Sequence, residues 1–235
     1  MIKYVQIKQC FDVQQMQQEV QGLQQALWKP HYNEKQYEGS WTTLPLRSIN
    51  GSVENSISIH ASSLQKNMAY KDTSLLNECP YLQSVITFFD CEKMSVRLMN
   101  LEAGAFIKEH TDHEMCFEEG EARFHIPISS NNGIEFFIEG EKIPMKEGEC
   151  WYLNLSLKHH VINLGNTSRI HLVIDCKVND WIKNLLMTDV ELMQVIPGNI
   201  GDDSYSAADK IRIIRELRQM GTTVSIELAD KMEAG

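Results

Sequence analysis

Between residues 93 and 176 the chain repeats one device: a short run in which apolar and polar residues alternate, closed by a turn. The runs are KMSVRLMNL, AFIKEH, ARFHIPIS, IEFFIEG, EKIPMKEG, CWYLNL, HHVINL and SRIHLVID, with turn signals such as NNG, EGEK and KEGE between them. Alternation sends successive side chains to opposite faces of an extended strand. Short strands at such close spacing leave an antiparallel sandwich or a barrel as the solutions. The arithmetic is that of a jelly roll. The predicted fold is therefore mainly β with flanking helices, a cupin-like double-stranded β-helix.

The rest of the chain is read around that core. Residues 12–28 carry Val13, Met16, Val20, Leu23 and Leu27 at helical spacing behind Asp12, a residue suited to the N-cap. Residues 41–62 predict early strands about a glycine turn, and 73–90 predict a helix in which Pro80 stands near an end or opens a second segment. Helical spacing returns over 181–192 and over 206–220, the latter running from a Ser206 cap to a Gly221 stop. Lys210, Arg212, Arg215 and Arg218 form a basic face there, read as a solvated surface, and these helices are expected to pack outside the barrel. One domain accounts for all 235 residues, with N-terminal helices and early strands in 1–92, the jelly-roll core in 93–176 and a helical extension in 177–235.

Composition excludes several classes of partner. A net charge of −10 disfavours nucleic acid and anionic membranes, which reward clustered Lys and Arg. No stretch approaches the roughly 20 apolar residues of a membrane span, and the first residues lack the apolar core of a secretory signal. The six cysteines are scattered without a CxxC pair, as expected of reduced thiols, and a cytoplasmic location follows.

The chemistry begins with His110-Thr-Asp112 at the end of a predicted strand, where positions i and i+2 face the same way. Two further histidines, His159 and His160, open a later strand; alternation turns only one of them inward, and spacing does not choose between them. Two histidines and one carboxylate are the ligand set of non-haem Fe(II) oxygenases, which leave positions open for a 2-oxo acid and O2. Arg169, within an apolar strand, is expensive to bury without an anion. Its planar fork suits the distal carboxylate of 2-oxoglutarate; the structural alternative is a pairing with a nearby Asp or Glu.

The segments EGSWTTLPLRS, VRLMNLEAGAFIKEHTD, Arg123-Phe-His125-Ile-Pro, GECWYLN, His159-His-Val-Ile-Asn163 and RIHLVID together resemble the bacterial branch of the aspartyl/asparaginyl β-hydroxylase-like family of 2-oxoglutarate oxygenases, over about residues 38–183. The resemblance implies His159 as the distal ligand, with Val161 and Asn163 in register and His160 pointing away. It implies iron held by His110, Asp112 and His159, with Arg169 on the far carboxylate of 2-oxoglutarate and Arg123 and His125 on its near carboxylate or on the substrate. Arg47, Arg97 and Trp151 fall in the same segments as candidates to line the pocket, whereas His113, Glu114 and His171 receive no role. The reaction implied is hydroxylation of an unactivated C–H bond of an amino acid or amino-acid-like or peptidyl substrate, consuming 2-oxoglutarate and O2 and releasing succinate and CO2. A carboxylate-bearing substrate would suit Arg123 or Arg97. The competing reading is a cupin-like metal protein that does not use 2-oxoglutarate, since jelly rolls host many functions. A non-catalytic sugar- or partner-binding jelly roll leaves His110, Asp112 and Arg169 unexplained. Arg169 discriminates, because a metal-only cupin has no need of it.

Overall fold

The computed structural model describes residues 1–23, 27–54, 68–112 and 115–196, with Ile214, Arg215, Arg218, Ile226, Ala229, Asp230 and Glu233. They fall into two compact units, Ile2–Gln194 and a second made of Met1 and Val195–Gly235. In chain order the strands are β1 (Ile2–Cys10), β2 (Lys29–Pro30), β3 (Tyr37–Glu38), β4 (Trp41–Ile49), β5 (Tyr70–Asp72), β6 (Lys93–Leu101), β7 (Phe106–His110), β8 (Glu121–Ser129), β9 (Ile134–Ile138), β10 (Glu141–Lys142), β11 (Glu149–Leu153), β12 (His159–Asn163), β13 (Arg169–Lys177) and β14 (Val190–Val195). The helices are α1 (Val13–Gly22), α2 (Pro80–Phe88) and α3 (Asp180–Thr188).

Two sheets result. The larger runs β14-β1-β11-β8-β13-β6-β4-β2 with β5 beside β4, and the smaller runs β10-β9-β12-β7-β3. Each run of the predicted core contributes a strand to one of them, EKIPMKEG only through Glu141–Lys142, as a double-stranded β-helix requires. The larger sheet is covered on both faces. Phe124, Ile126, Leu172, Ile174, Val96 and Leu98 pack with Met16, Leu82, Val85, Ile182 and Leu186 of the three helices. Met99, Leu101, Trp151 and Val173 face the smaller sheet and pack with Ile107, Phe136, Ile138 and Val161. Burial on both faces removes the polar half of the alternation wherever the helices dock. The polar residues that remain on the inner face, Arg97 of β6, Arg123 and His125 of β8, and Arg169, His171 and Asp175 of β13, are all buried.

Local expectations held in part. Asp12 caps α1 through a bond from the Gln15 backbone N–H to its Oδ1 (3.1 Å), but the helix ends at Gly22. Pro80 sits in the first turn of α2, where its missing N–H costs nothing. The strand partner of the end of β4 is β5, after a turn at Asn50 and Gly51; residues 55–62 of the predicted early-strand region lie outside the described residues. The helix expected over 181–192 stops at Thr188, and β14 follows. Nothing in the sequence pattern anticipates β1, which pairs with β11 and carries β14 on its other side at the edge of the larger sheet.

In the second unit Ile214, Arg215, Arg218, Ile226, Ala229, Asp230 and Glu233 are helical. Arg218 spans Asp230 (2.8 Å) and Glu233 (2.7 Å), and Arg215 is exposed, as befits a solvated face. Ser206, Lys210, Arg212 and Gly221 lie outside the described residues.

Candidate metal centre and ligand pocket

β7 and β12 pair antiparallel in the smaller sheet, and the register sets His159 directly opposite His110. Directly opposed residues share a sheet face, and the two rings lie 4.2 Å apart between centroids. His110 Nδ1 is 2.7 Å from the Lys108 carbonyl and His159 Nδ1 is 2.9 Å from that of Leu157. A carbonyl only accepts, so each Nδ1 carries the proton and each Nε2 presents a lone pair, and the carbonyl bond fixes the orientation of an imidazole able to bind metal. Asp112 follows two residues after His110, its backbone N–H bonded to the Leu155 carbonyl (2.8 Å) and its Oδ1 3.6 Å from His110 Nε2. Donor atoms of the three residues all lie within 4.8 Å of one another. His160, the alternative candidate, stacks on Phe137 (4.7 Å, 17°), on the opposite strand face.

Facing this cluster is the polar inner row of the larger sheet. Asp175 is fully buried and takes Arg123 by two bonds, Nε to Oδ1 at 2.6 Å and Nη2 to Oδ2 at 3.1 Å, and Arg97 Nη2 at 2.8 Å. Arg123 extends its remaining nitrogen, Nη1, to Oδ2 of Asp112. An acid absent from the sequence reading thus orders both arginines, and one of them ties β13 to the candidate metal carboxylate. Asp175 shares its strand face with Arg169 and His171, a parity visible in RIHLVID.

Arg169 is in the opposite position. It is 2% exposed, its Nε has no partner, and no ion pair reaches it among the described residues. Its Nη2 donates to His171 Nδ1 (2.7 Å), and its guanidinium carbon sits 5.7 Å from the Phe136 ring centroid. A guanidinium has no lone pair to offer, so His171 Nδ1 is the acceptor and bears no proton. His125 Nδ1, 3.3 Å from the same atom, is then the donor, and His125 Nε2 is left as a buried lone pair without a partner.

Electrostatics follow the partners. Burial would raise the Asp112 carboxyl, but Arg123 and the two histidines outweigh it and hold it below the ordinary carboxylate range. Burial lowers His159 to about 4, so the imidazole is neutral and able to ligate at physiological pH. Burial, followed by Arg169, pushes His125 and His171 well below the ordinary histidine value. Burial alone lowers Arg169 to about 9, whereas in Arg123 the two carboxylates overcome burial and raise it.

A cavity of roughly 370 Å³ joins these groups. It is lined by His110, Asp112 and His159, by Arg97, Arg123, His125 and Arg169, and by a wall the sequence reading missed: His31, Tyr32, Asn33 and Gln36, with Trp41 behind. That wall is the passage from β2 to β3. Gly39 (φ +80°) lets it fold back closely, since a Cβ there would lie 2.7 Å from that of Ala105. Of the other pocket candidates, Arg47 pairs with Asp72 outside the cavity, and Trp151 is fully buried in the inner core. His113 and Glu114 lie outside the described residues.

Fold and site together define a jelly-roll protein with a two-histidine, one-aspartate candidate metal centre facing a row of buried arginines. The sequence profile of the aspartyl/asparaginyl beta-hydroxylase family matches residues 11–178, and the chain belongs to that family. It is similar to L-proline cis-4-hydroxylase of Rhizobium meliloti (strain 1021), 26% identical over 178 residues that make up 75% of this chain. The chain spans 61% of the length of that relative. Among solved structures it is similar to a 2OG-Fe(II) oxygenase family oxidoreductase from Burkholderia pseudomallei (15% identity, 72% of this chain and 81% of that one, TM-score 0.46). It is also similar to the collagen prolyl hydroxylase of Paramecium bursaria Chlorella virus-1 (10% identity, 75% and 97%, TM-score 0.43). Such remote likenesses add nothing to the fold described above. Among the described residues no helix is long and apolar enough to cross a membrane.

Proposed function

We propose that the protein is an Fe(II)- and 2-oxoglutarate-dependent dioxygenase that hydroxylates an unactivated C–H bond of a small amino acid. The observation that carries this reading is Arg169, a buried guanidinium with no acid partner among the described residues, opening on the same cavity as two histidines with inward lone pairs and a carboxylate. Burying such a charge is unfavourable until an anion joins it, and a dicarboxylate that reaches from Arg169 to a metal supplies that anion. Family membership and the proline hydroxylase relative support the same reading. We place the protein in a cytoplasm, in keeping with six free cysteines.

In this assignment His110, Asp112 and His159 hold iron, and Arg169 receives the far carboxylate of 2-oxoglutarate. Iron and 2-oxoglutarate, when bound, supply the oxidising chemistry that puts oxygen from O2 into a C–H bond with release of succinate and CO2. The chain does the rest. Lys108 and Leu157 carbonyls keep the ligand imidazoles in the Nε2 lone-pair tautomer. Arg123 occupies Oδ2 of Asp112 and so leaves Oδ1 toward the histidines. His125 turns a buried acceptor to the cavity, and Met99, Ile107, Phe136 and Val161 keep water from the cavity walls.

Anaerobic protein mixed with Fe(II) and 2-oxoglutarate tests the reading. A weak visible charge-transfer band is expected, lost in His159→Ala, retained in His160→Ala and weakened in Arg169→Gln. Folded, iron-loaded wild type without that band would leave a metal protein that does not use 2-oxoglutarate.

A further inference from the structure

Among the described residues, His31 is the one cavity histidine to which neither the metal set nor the Arg169 cluster gives work. Only 7% exposed, it lies flat on Trp41 with ring centroids 3.6 Å apart and 18° between planes, and its backbone N–H is bonded to the Trp41 carbonyl (2.8 Å). Stack and main-chain bond together fix the ring. Among the described residues its Nδ1 is buried without a partner, so Nε2 is the nitrogen left to serve the cavity that the ring lines. An orphaned buried N–H is rarer than an orphaned acceptor, so the proton belongs on Nε2. Burial and the nearby Arg97 lower this histidine to about 3, and at neutral pH the ring is an uncharged donor.

The surroundings select what that donor meets. The titratable and charged groups acting on His31 are Arg97, Asp112, Arg123 and His110. Arg97 and Arg123 line the same cavity, so an anion entering beside His31 meets two guanidinium groups as well as the ring. We propose that His31 is a substrate-positioning residue whose Nε2–H, held against Trp41, donates a hydrogen bond to the carboxylate of a free α-amino acid. The inference rests on the amino-acid hydroxylase reading and narrows it: a residue inside a peptide has an amide where this site expects a carboxylate. His31 reaches no reacting atom; it orients the substrate so that one C–H bond faces the iron.

The test uses the anaerobic Fe(II)·2-oxoglutarate protein, titrated with L-proline and the other common amino acids while perturbation of the visible band is followed. L-prolinamide serves as the probe without a carboxylate. Wild type is expected to respond to at least one free amino acid and to bind its amide far more weakly. His31→Phe keeps a ring against Trp41 but removes the donor. It should show the same band without substrate and the same melting temperature, and bind the acid roughly ten- to a hundredfold more weakly, the value of one hydrogen bond to a charged group. It should no longer separate acid from amide as wild type does. His31→Gln, which restores an N–H, should recover part of the affinity, and steady-state turnover should show the loss in KM rather than kcat. Unchanged acid affinity in a folded His31→Phe protein overturns the inference, as does a wild-type band that no amino acid perturbs. Absence of the band in wild type overturns the underlying reading instead.

Discussion

Asp175 and Arg169 share one face of β13 and stand in opposite electrostatic situations, so their removal should have opposite effects. Asp175 bridges two buried arginines; Asp175→Asn removes the charge between them and should cost about 3–5 kcal/mol of apo stability in urea denaturation. Because Arg123 also holds Asp112, the variant should bind Co(II) about ten- to a hundredfold more weakly by titration. Arg169 has no acid among the described residues to lose. Arg169→Met is therefore expected to keep or raise apo stability, as replacement of uncompensated buried charge often does. The same variant should lose the rise in melting temperature that 2-oxoglutarate gives the Fe(II) wild type, worth about 2.7 kcal/mol at a hundredfold excess over Kd. Equal destabilisation by both substitutions would refute this division of labour.

Among the elements, the central strands of the larger sheet serve two layers at once. Phe124 packs on Phe89 (4.9 Å) and Tyr152 (6.1 Å) on the helix side, whereas its neighbours Arg123 and His125 face the cavity. Phe124→Ala should cost about 3–5 kcal/mol by thermal or chemical denaturation, yet leave the metal affinity of the folded fraction nearly unchanged; a large loss of affinity would mean the two faces are coupled. The same alternation explains what the sequence disclosed. Strands β6 to β13 were legible because their cavity-facing polar residues interrupt apolar runs at a period of two. His110, Asp112 and Arg169 were legible because charge in such strands demands a reason. β1 was missed because Lys3 and Gln6 blur its alternation, and its partner β11 lies far along the chain. His31 was missed because it sits in an irregular passage where no periodicity marks a direction, and its burial comes from Trp41 and the cavity. Asp175 was within reach, since it has the parity of Arg169, but a lone acid at a strand end gives no sign that two distant arginines converge on it.

For the molecule as a whole, buried neutral histidines set the acid limit of the metal-free protein. His31 at about 3, His159 at about 4, and His125 and His171 well below the ordinary value all resist protonation when folded, whereas each takes up a proton near pH 6.5 once unfolded. The unfolded state thus binds more protons below that pH, so stability is complete above about 6.5 and falls as pH drops toward 4. Each group contributes at most about 1.4 kcal/mol per pH unit in that window. The urea midpoint of apo protein should fall steeply from pH 7 to pH 5, less so in a His125→Asn, His171→Asn pair. A flat profile would mean these histidines are solvated in solution.

The passage from His31 to Gln36 is tied to the barrel through two-residue strands and a glycine, while the opposite side of the cavity is carried by strands with helices on their backs. Mutational freedom is therefore unequal around the pocket. Changes in Tyr32, Asn33 or Gln36 reshape what is admitted without touching the core, whereas changes in β8 or β13 risk the whole domain. A lineage, or a protein engineer, seeking a different amino acid has an inexpensive route through six residues near the start of the chain, with the oxidative machinery left in place.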